Sequence, residues 1–138
     1  MYKILIVEDD RVISEEVAKH LMKWGYEVHQ TKDFTQVTEE FMAIEPHLVL
    51  MDIGLPFFNG YYWCTEIRKK SKVPIIFLSS ASDSMNIVMA MNMGADDFIT
   101  KPFELEVLAA KLQAMLRRTY DFIEECTEIE HKGAILSL

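Results

Sequence analysis

Short apolar runs recur along the chain at residues 4–7, 26–28, 48–51, 75–78 and 98–99. Between them the apolar positions fall at intervals of three and four. Ile13, Val17, Leu21 and Trp24 form one helical stripe, and Gly25 follows as its stop. Asp33 and Gln36 stand at capping-box spacing ahead of Val37, Phe41 and Ile44, and Pro46 closes that segment. A third helix is predicted from about residue 60 to 70, with Trp63 and Ile67 inward. Pro74 opens the fourth strand. A fourth helix is expected over residues 82–93, ending at Gly94. A fifth runs from about residue 104 to 118, with Val107, Leu108, Leu112 and Met115 or Leu116 on its core side.

Strands alternating with helices of this length define parallel βαβ units with right-handed crossovers. The first, third and fourth strands are almost wholly apolar, as a sheet covered on both faces requires. The predicted fold is α/β: a doubly wound, five-stranded parallel sheet of order 2-1-3-4-5, the flavodoxin-like arrangement. Ligands bind such sheets beyond the carboxyl ends of the strands, at the switch point between strands one and three. Residues 1–121 are expected to form this domain and residues 122–138 a linker and the beginning of something further.

The 138 residues, 50% hydrophobic and 26% charged, suit one soluble core. No apolar run approaches the ~20 residues of a membrane span. The opening run breaks at Glu8, too soon for the ~7–15-residue core of a signal peptide, so no membrane association and a cytoplasmic location are expected. The net charge of -8 argues against direct nucleic-acid binding by these residues, because affinity for phosphate backbones comes from clustered Lys and Arg. Two cysteines, Cys64 and Cys126, make neither a zinc site nor, without export, an expected disulfide.

Charge matters most at the strand ends. The first strand ends in Glu8, Asp9 and Asp10, and the third in Asp52. The switch-point rule brings these ends together. Like charges ~4 Å apart repel by about 4 kcal/mol at an effective dielectric of 20, so the cluster needs raised pKa values or a hard divalent cation such as magnesium. Asp10 has the simpler role of a helix cap. For Glu8 and Asp9 alone, cap and ligand are about equally good readings; Asp52 at the end of an apolar strand tips the balance to a cation site. Ser79 ends strand four and Lys101 follows strand five. A hydroxyl and an ammonium beside a metal suit an anionic ligand, and an acyl phosphate on Asp52 fits the set.

Four motifs, each at a predicted strand end, resemble the receiver domains of bacterial two-component response regulators. They are residues 4–10, residues 51–56 with Asn59 and Gly60, residues 74–80, and residues 94–103; the likeness covers about residues 2–118. It implies that Asp52 accepts a phosphoryl group from a sensor histidine kinase. It also implies that Asp9, Asp52 and the Gly54 backbone carbonyl bind Mg2+, with Glu8 acting through a water. Ser79 and Lys101 would contact the phosphoryl oxygens, Ser79 and Phe98 would form the switch, and the peptide bond before Pro102 would be cis. Gly54 and Ala81 occupy the positions from which side chains assist hydrolysis, so slow self-dephosphorylation follows.

Within the family, the OmpR/PhoB type is closest, on residues 94–103 and on Arg117 and Arg118; Trp63, Cys64 and residues 77–80 and 111–114 resemble its bacitracin-sensing group. That type controls transcription through a winged-helix DNA-binding domain, which residues 122–138 would begin and which is otherwise missing. It forms a homodimer through the fourth helix, fifth strand and fifth helix. Asp96, Asp97, Lys111 and Arg118 could pair there, but Ile87 and Val107 stand where the type usually has an Arg–Glu pair. Helix four is apolar on several sides, and Val88 and Met91 or their neighbours would face the core. A stand-alone receiver or interaction module is the alternative output. A magnesium-dependent phosphohydrolase would need a second carboxylate as general acid, where Ile53 and Gly54 follow Asp52. A flavin carrier would need a Ser/Thr/Gly-rich loop after strand one, where three carboxylates stand.

Overall fold

The protein was analysed as a computed structural model, which describes residues 1–80 and 84–121, the side chains of 84–87 and 121 excepted. Strand β1 (Lys3–Val7) leads into α1 (Arg11–Lys23), then β2 (Glu27–Gln30), α2 (Val37–Ile44), β3 (Leu48–Asp52) and α3 (Gly60–Arg68). Strand β4 (Ile75–Ser79), α4 (Ser84–Asn92), β5 (Asp97–Thr100) and α5 (Leu105–Leu116) complete the alternation. All pairings are parallel and the order is β2-β1-β3-β4-β5, as the pattern predicts.

Successive strand residues point to opposite faces, and the sequence places an apolar residue on each. Ile4, Ile6, Leu48, Leu50, Ile76 and Leu78 face α1 and α5 through Val17, Leu21, Leu108 and Leu112. Leu5, Val7, Val49, Met51, Ile75 and Phe77 face the other side, against Val37 and Phe41 of α2, Trp63 and Ile67 of α3, and Ala90 of α4. Each such side chain contributes roughly 1.5–3 kcal/mol on burial, which makes the sheet a rigid platform for the groups at its carboxyl edge.

Several local expectations are corrected. Trp24 is not core but the half-exposed C-cap of α1, followed by Gly25 at φ 91°. Asp33 is not the N-cap of α2. Its carboxylate accepts from the Thr35 backbone N–H and hydroxyl, and Gln36, without a side-chain bond, is the cap. The reach-back comes instead from Glu40, whose Oε2 accepts from the N–H groups of Lys32 and Asp33. Among the described side chains of α4 the inward one is Ala90, while Val88 and Met91 lie outward. Val107 also points to solvent, leaving Leu108, Leu112, Met115 and Leu116 as the inner row of α5. Helix α5 ends at Leu116 and continues as a wider π-helical turn, Arg117–Asp121.

Candidate functional site

Asp52 is the last residue of β3, and Glu8 and Asp9 directly follow β1. The register of Val7 opposite Met51 carries Glu8 to the side of Asp52. Glu8, Asp9 and Asp52 each offer an oxygen within 4.8 Å of the others. Glu8 and Asp52 are buried, at 4% and 5% exposure, while Asp9 is open. Two buried carboxylates this close demand compensation. Lys101, in the turn after β5, supplies part of it: its Nζ lies 2.6 Å from Glu8 Oε1 and 3.1 Å from Asp52 Oδ1. Its backbone N–H also donates to the Ser79 carbonyl, tying the turn to the end of β4. The bond between Lys101 and Pro102 is cis.

Burial pushes the Glu8 carboxyl above its ordinary value; the Lys101 ammonium and the Asp10 N–H oppose that, and the charge on Asp52 adds to it. For Lys101 burial acts against the charge, but Glu8 and Asp52 outweigh it and hold the ammonium on. One ammonium against three carboxylates still leaves an excess of two negative charges. Hard, convergent oxygen donors with that excess suit a divalent oxygen-preferring cation, so the donor set fits magnesium.

The neighbouring segments fix this geometry. Asp10 caps α1 through bonds from the N–H groups of Val12 and Ile13. Asn59 caps α3, accepting from the Tyr62 N–H. The Gly60 N–H donates to the Ile53 carbonyl, bringing the start of α3 against the backbone of Asp52. A β-carbon on Gly60 would strike the Asp52 carbonyl oxygen and lie 3.0 Å from Ile53 Cα. Gly54 lies two residues beyond β3 with open space around it. Ser79 is buried at the end of β4, and half-buried Phe98 packs in β5 opposite Phe77.

The structure thus brings Glu8, Asp9, Asp52 and Lys101 together and puts Ser79 on the adjacent strand end. It is less generous to the residues assigned to an interface. Asp96 is engaged within the chain by Arg68, at 2.9 Å, and by the Ile75 N–H. Asp97 lies 3.5 Å from Lys111. Val107 and Arg118 are exposed; the Ile87 side chain and Ala81 fall outside the described residues. Arg68 is the residue that sequence reasoning missed. Its guanidinium also donates to the carbonyls of Val73 and Gly94, pinning the turns before β4 and β5. Nothing in its local pattern distinguishes it from a solvated arginine.

This sheet order, with buried carboxylates at the switch point and a lysine facing them, is the arrangement that the receiver-like motifs imply. Residues 4–113 match the model of the response regulator receiver domain, and the chain belongs to that family. It is 47% identical over 130 residues to a sensory transduction protein, BceR, of Halalkalibacterium halodurans, covering 94% of this chain and 56% of that protein. It is 44% identical over 137 residues to the response regulator GraR of Staphylococcus epidermidis, covering 99% and 61%. The chain therefore spans somewhat over half the length of these relatives. Among solved structures, the N-terminal domain of the nisin resistance regulator NsrR superposes with a TM-score of 0.79 at 53% identity, covering 85% of this chain and 99% of that one. Among the described residues no helix is long and apolar enough to cross a membrane.

Proposed function

We propose that Asp52 accepts a phosphoryl group from the phosphohistidine of a sensor kinase and that the acyl phosphate switches the surface formed by α4, β5 and α5. The observation that carries this is the buried Asp52 carboxylate, at the end of β3, with Lys101 3.1 Å away and two further carboxylates beside it. An Asp52 oxygen attacks phosphorus and the donor's nitrogen leaves with its electron pair. Lys101 pairs with an oxygen of the transferred group and the Ser79 hydroxyl donates to another, offsetting charge as it builds up. Asp9, Asp52, Glu8 and the Gly54 carbonyl would hold Mg2+, which supplies further charge neutralisation. The product stays on Asp52 because Gly54 brings no side chain to help a water attack it. The chain is in this reading a single-use acceptor, not an enzyme with turnover, and it acts in the cytoplasm. Intact mass after incubation with acetyl phosphate and Mg2+ tests it. One phosphate should be added to the wild type and none to Asp52→Ala or in excess chelator; addition to Asp52→Ala would sink the assignment.

The output is read from the relatives. YvcP of Bacillus subtilis, 52% identical over 120 residues, is described as a transcriptional regulatory protein. On that ground residues 122–138 lead into a DNA-binding domain, and the receiver controls transcription by pairing two such domains. Val88, Met89 and Met91 of α4 and Val107 of α5 are all more than a third exposed, and apolar patches of this kind mark interfaces. An isologous dimer through this face, with Ile87 meeting Val107, would gain about 1–3 kcal/mol per contact site. Because burial of apolar area is not screened, sedimentation should find the phosphorylated dimer undiminished at high salt and weakened by Val107→Glu. Dissociation of the wild type in salt would show that ion pairs hold it instead.

A further inference from the structure

At the opposite, amino-terminal edge of the sheet three aromatic rings close on one another. Tyr2 precedes β1, His47 precedes β3, and Tyr120 lies in the π-helical turn after α5. The ring centroids of Tyr2 and His47 are 5.2 Å apart, those of His47 and Tyr120 5.3 Å, and those of Tyr2 and Tyr120 5.6 Å. The Tyr120 hydroxyl donates to the His47 carbonyl at 2.7 Å. His47 is itself held by β1: its N–H donates to the Lys3 carbonyl at 2.8 Å, and its Nδ1 accepts the Lys3 N–H at 2.9 Å. The last bond fixes the chemistry. An Nδ1 that accepts carries no proton, so the ring is neutral with its hydrogen on Nε2.

We propose that Tyr2, His47 and Tyr120 form a latch that holds the turn after α5 onto the sheet, and that protonation of His47 releases it. Adding a proton to Nδ1 turns the acceptor into a second donor facing the Lys3 N–H, so that bond is lost and two donors oppose each other. The carbonyl to which Tyr120 donates belongs to the same residue, so displacing His47 loosens the turn directly. The π-helical turn matters here, because its wider winding rotates Tyr120 away from where a continued α-helix would have put it.

Among the described residues the charged groups acting on the ring are the Lys3 ammonium and the Met1 amino group; the titratable neighbours are the Tyr2 and Tyr120 phenols. Asp96, beyond, acts on the Tyr120 phenol. Burial first, then the two cations, holds His47 below its ordinary value, so the latch is closed at neutral pH and opens in mild acid. The edge is roughly 16 Å of strand from Asp52, and the inference does not depend on the phosphorylation reading. It makes the hold of the sheet on the π-helical turn, Arg117–Asp121, responsive to acid.

The test uses the 138-residue chain. Nitrogen chemical shifts of His47 should report the Nε2–H tautomer at about pH 7.5, with a titration midpoint below the ~6.5 of free histidine. Amide-exchange protection of residues 118–121, corrected for intrinsic rates, should fall about tenfold between pH 7.5 and pH 5, as expected for one lost hydrogen bond. His47→Asn, whose Oδ1 is bonded to Cγ as Nδ1 is and can still accept the Lys3 N–H but does not titrate, should remove that fall while leaving any acid response of the Asp52 edge. A ring found as the Nδ1–H tautomer, protection that persists once His47 has titrated, or an undiminished acid response in His47→Asn would each overturn the proposal.

Discussion

Lys101→Ala is expected to slow phosphorylation of Asp52 by acetyl phosphate about 10²–10³-fold, the usual cost of removing one positioned charge or donor from a transfer site. It should also destabilise the fold, for a separate reason. Lys101 is the ammonium that Glu8 and Asp52 share, and those carboxylates are 1% and 7% exposed at the side chain. Leaving buried charges without their partner costs about 3–5 kcal/mol, and the 17% exposure of Lys101 places the loss toward the lower end. The pH dependence distinguishes this from simple loss of packing. Glu8 has a folded pKa above its ordinary 4.5, so its contribution to stability is full below 4.5 and is lost as pH rises through the folded value. Without the ammonium that value moves further up and ionisation becomes costlier. The deficit of the variant should therefore be greatest near neutral pH, shrink toward pH 4.5, and shrink also when Mg2+ is added. Urea unfolding across pH, with Mg2+ or with chelator, measures both trends. A deficit that is flat in pH and indifferent to Mg2+ would mean that Lys101 acts through packing alone.

Most of the sheet was legible because its rule is simple. A strand covered on both faces must be apolar along its length, and β1, β3 and β4 are so but for one polar residue at an end of each; their order and the switch point then follow from the alternation with helices. The same logic singled out Glu8, Asp9, Asp52 and Ser79 at the ends of apolar strands, and Lys101 directly after β5. What failed depends on contacts distant in sequence. The inward face of α4 reads in the sequence as Val88 and Met91 or their neighbours and is Ala90 among the described side chains, because the helix is apolar on several sides and its sequence alone does not single one out. Asp33 and Gln36 have the spacing of a cap, but the lone pairs of Asp33 are taken by Thr35 and the reach-back comes from Glu40. The latch at Tyr2, His47 and Tyr120 joins residues up to 118 positions apart along the chain through a change of helix type that no local pattern announces.

Gly60 was legible only as a letter in a motif, and its physical role yields a prediction in which two effects oppose each other. Gly60 opens α3, and alanine there gains about 1 kcal/mol in helix propensity. Against that, the new β-carbon would run into the Asp52 carbonyl oxygen and crowd Ile53 Cα at 3.0 Å. Both obstacles are backbone atoms of the chain segment that carries the acceptor, so no side chain can swing aside. Relieving such a clash by shifting packed backbone costs about 1–3 kcal/mol, and steric cost wins. Gly60→Ala should therefore destabilise, whereas Gly54→Ala, whose β-carbon meets nothing within 4 Å, should change stability by less than about 0.5 kcal/mol. The shift in Gly60→Ala falls on the residue whose carboxylate must stay near Lys101 and beside Glu8. Displacing a reacting group by about 1 Å costs up to 10²-fold in rate, so phosphorylation should slow even under conditions where the variant is fully folded. Unfolding curves and acetyl phosphate kinetics on the two alanine variants decide it. Wild-type stability and phosphorylation rate in Gly60→Ala would show that α3 can withdraw from β3 without disturbing Asp52.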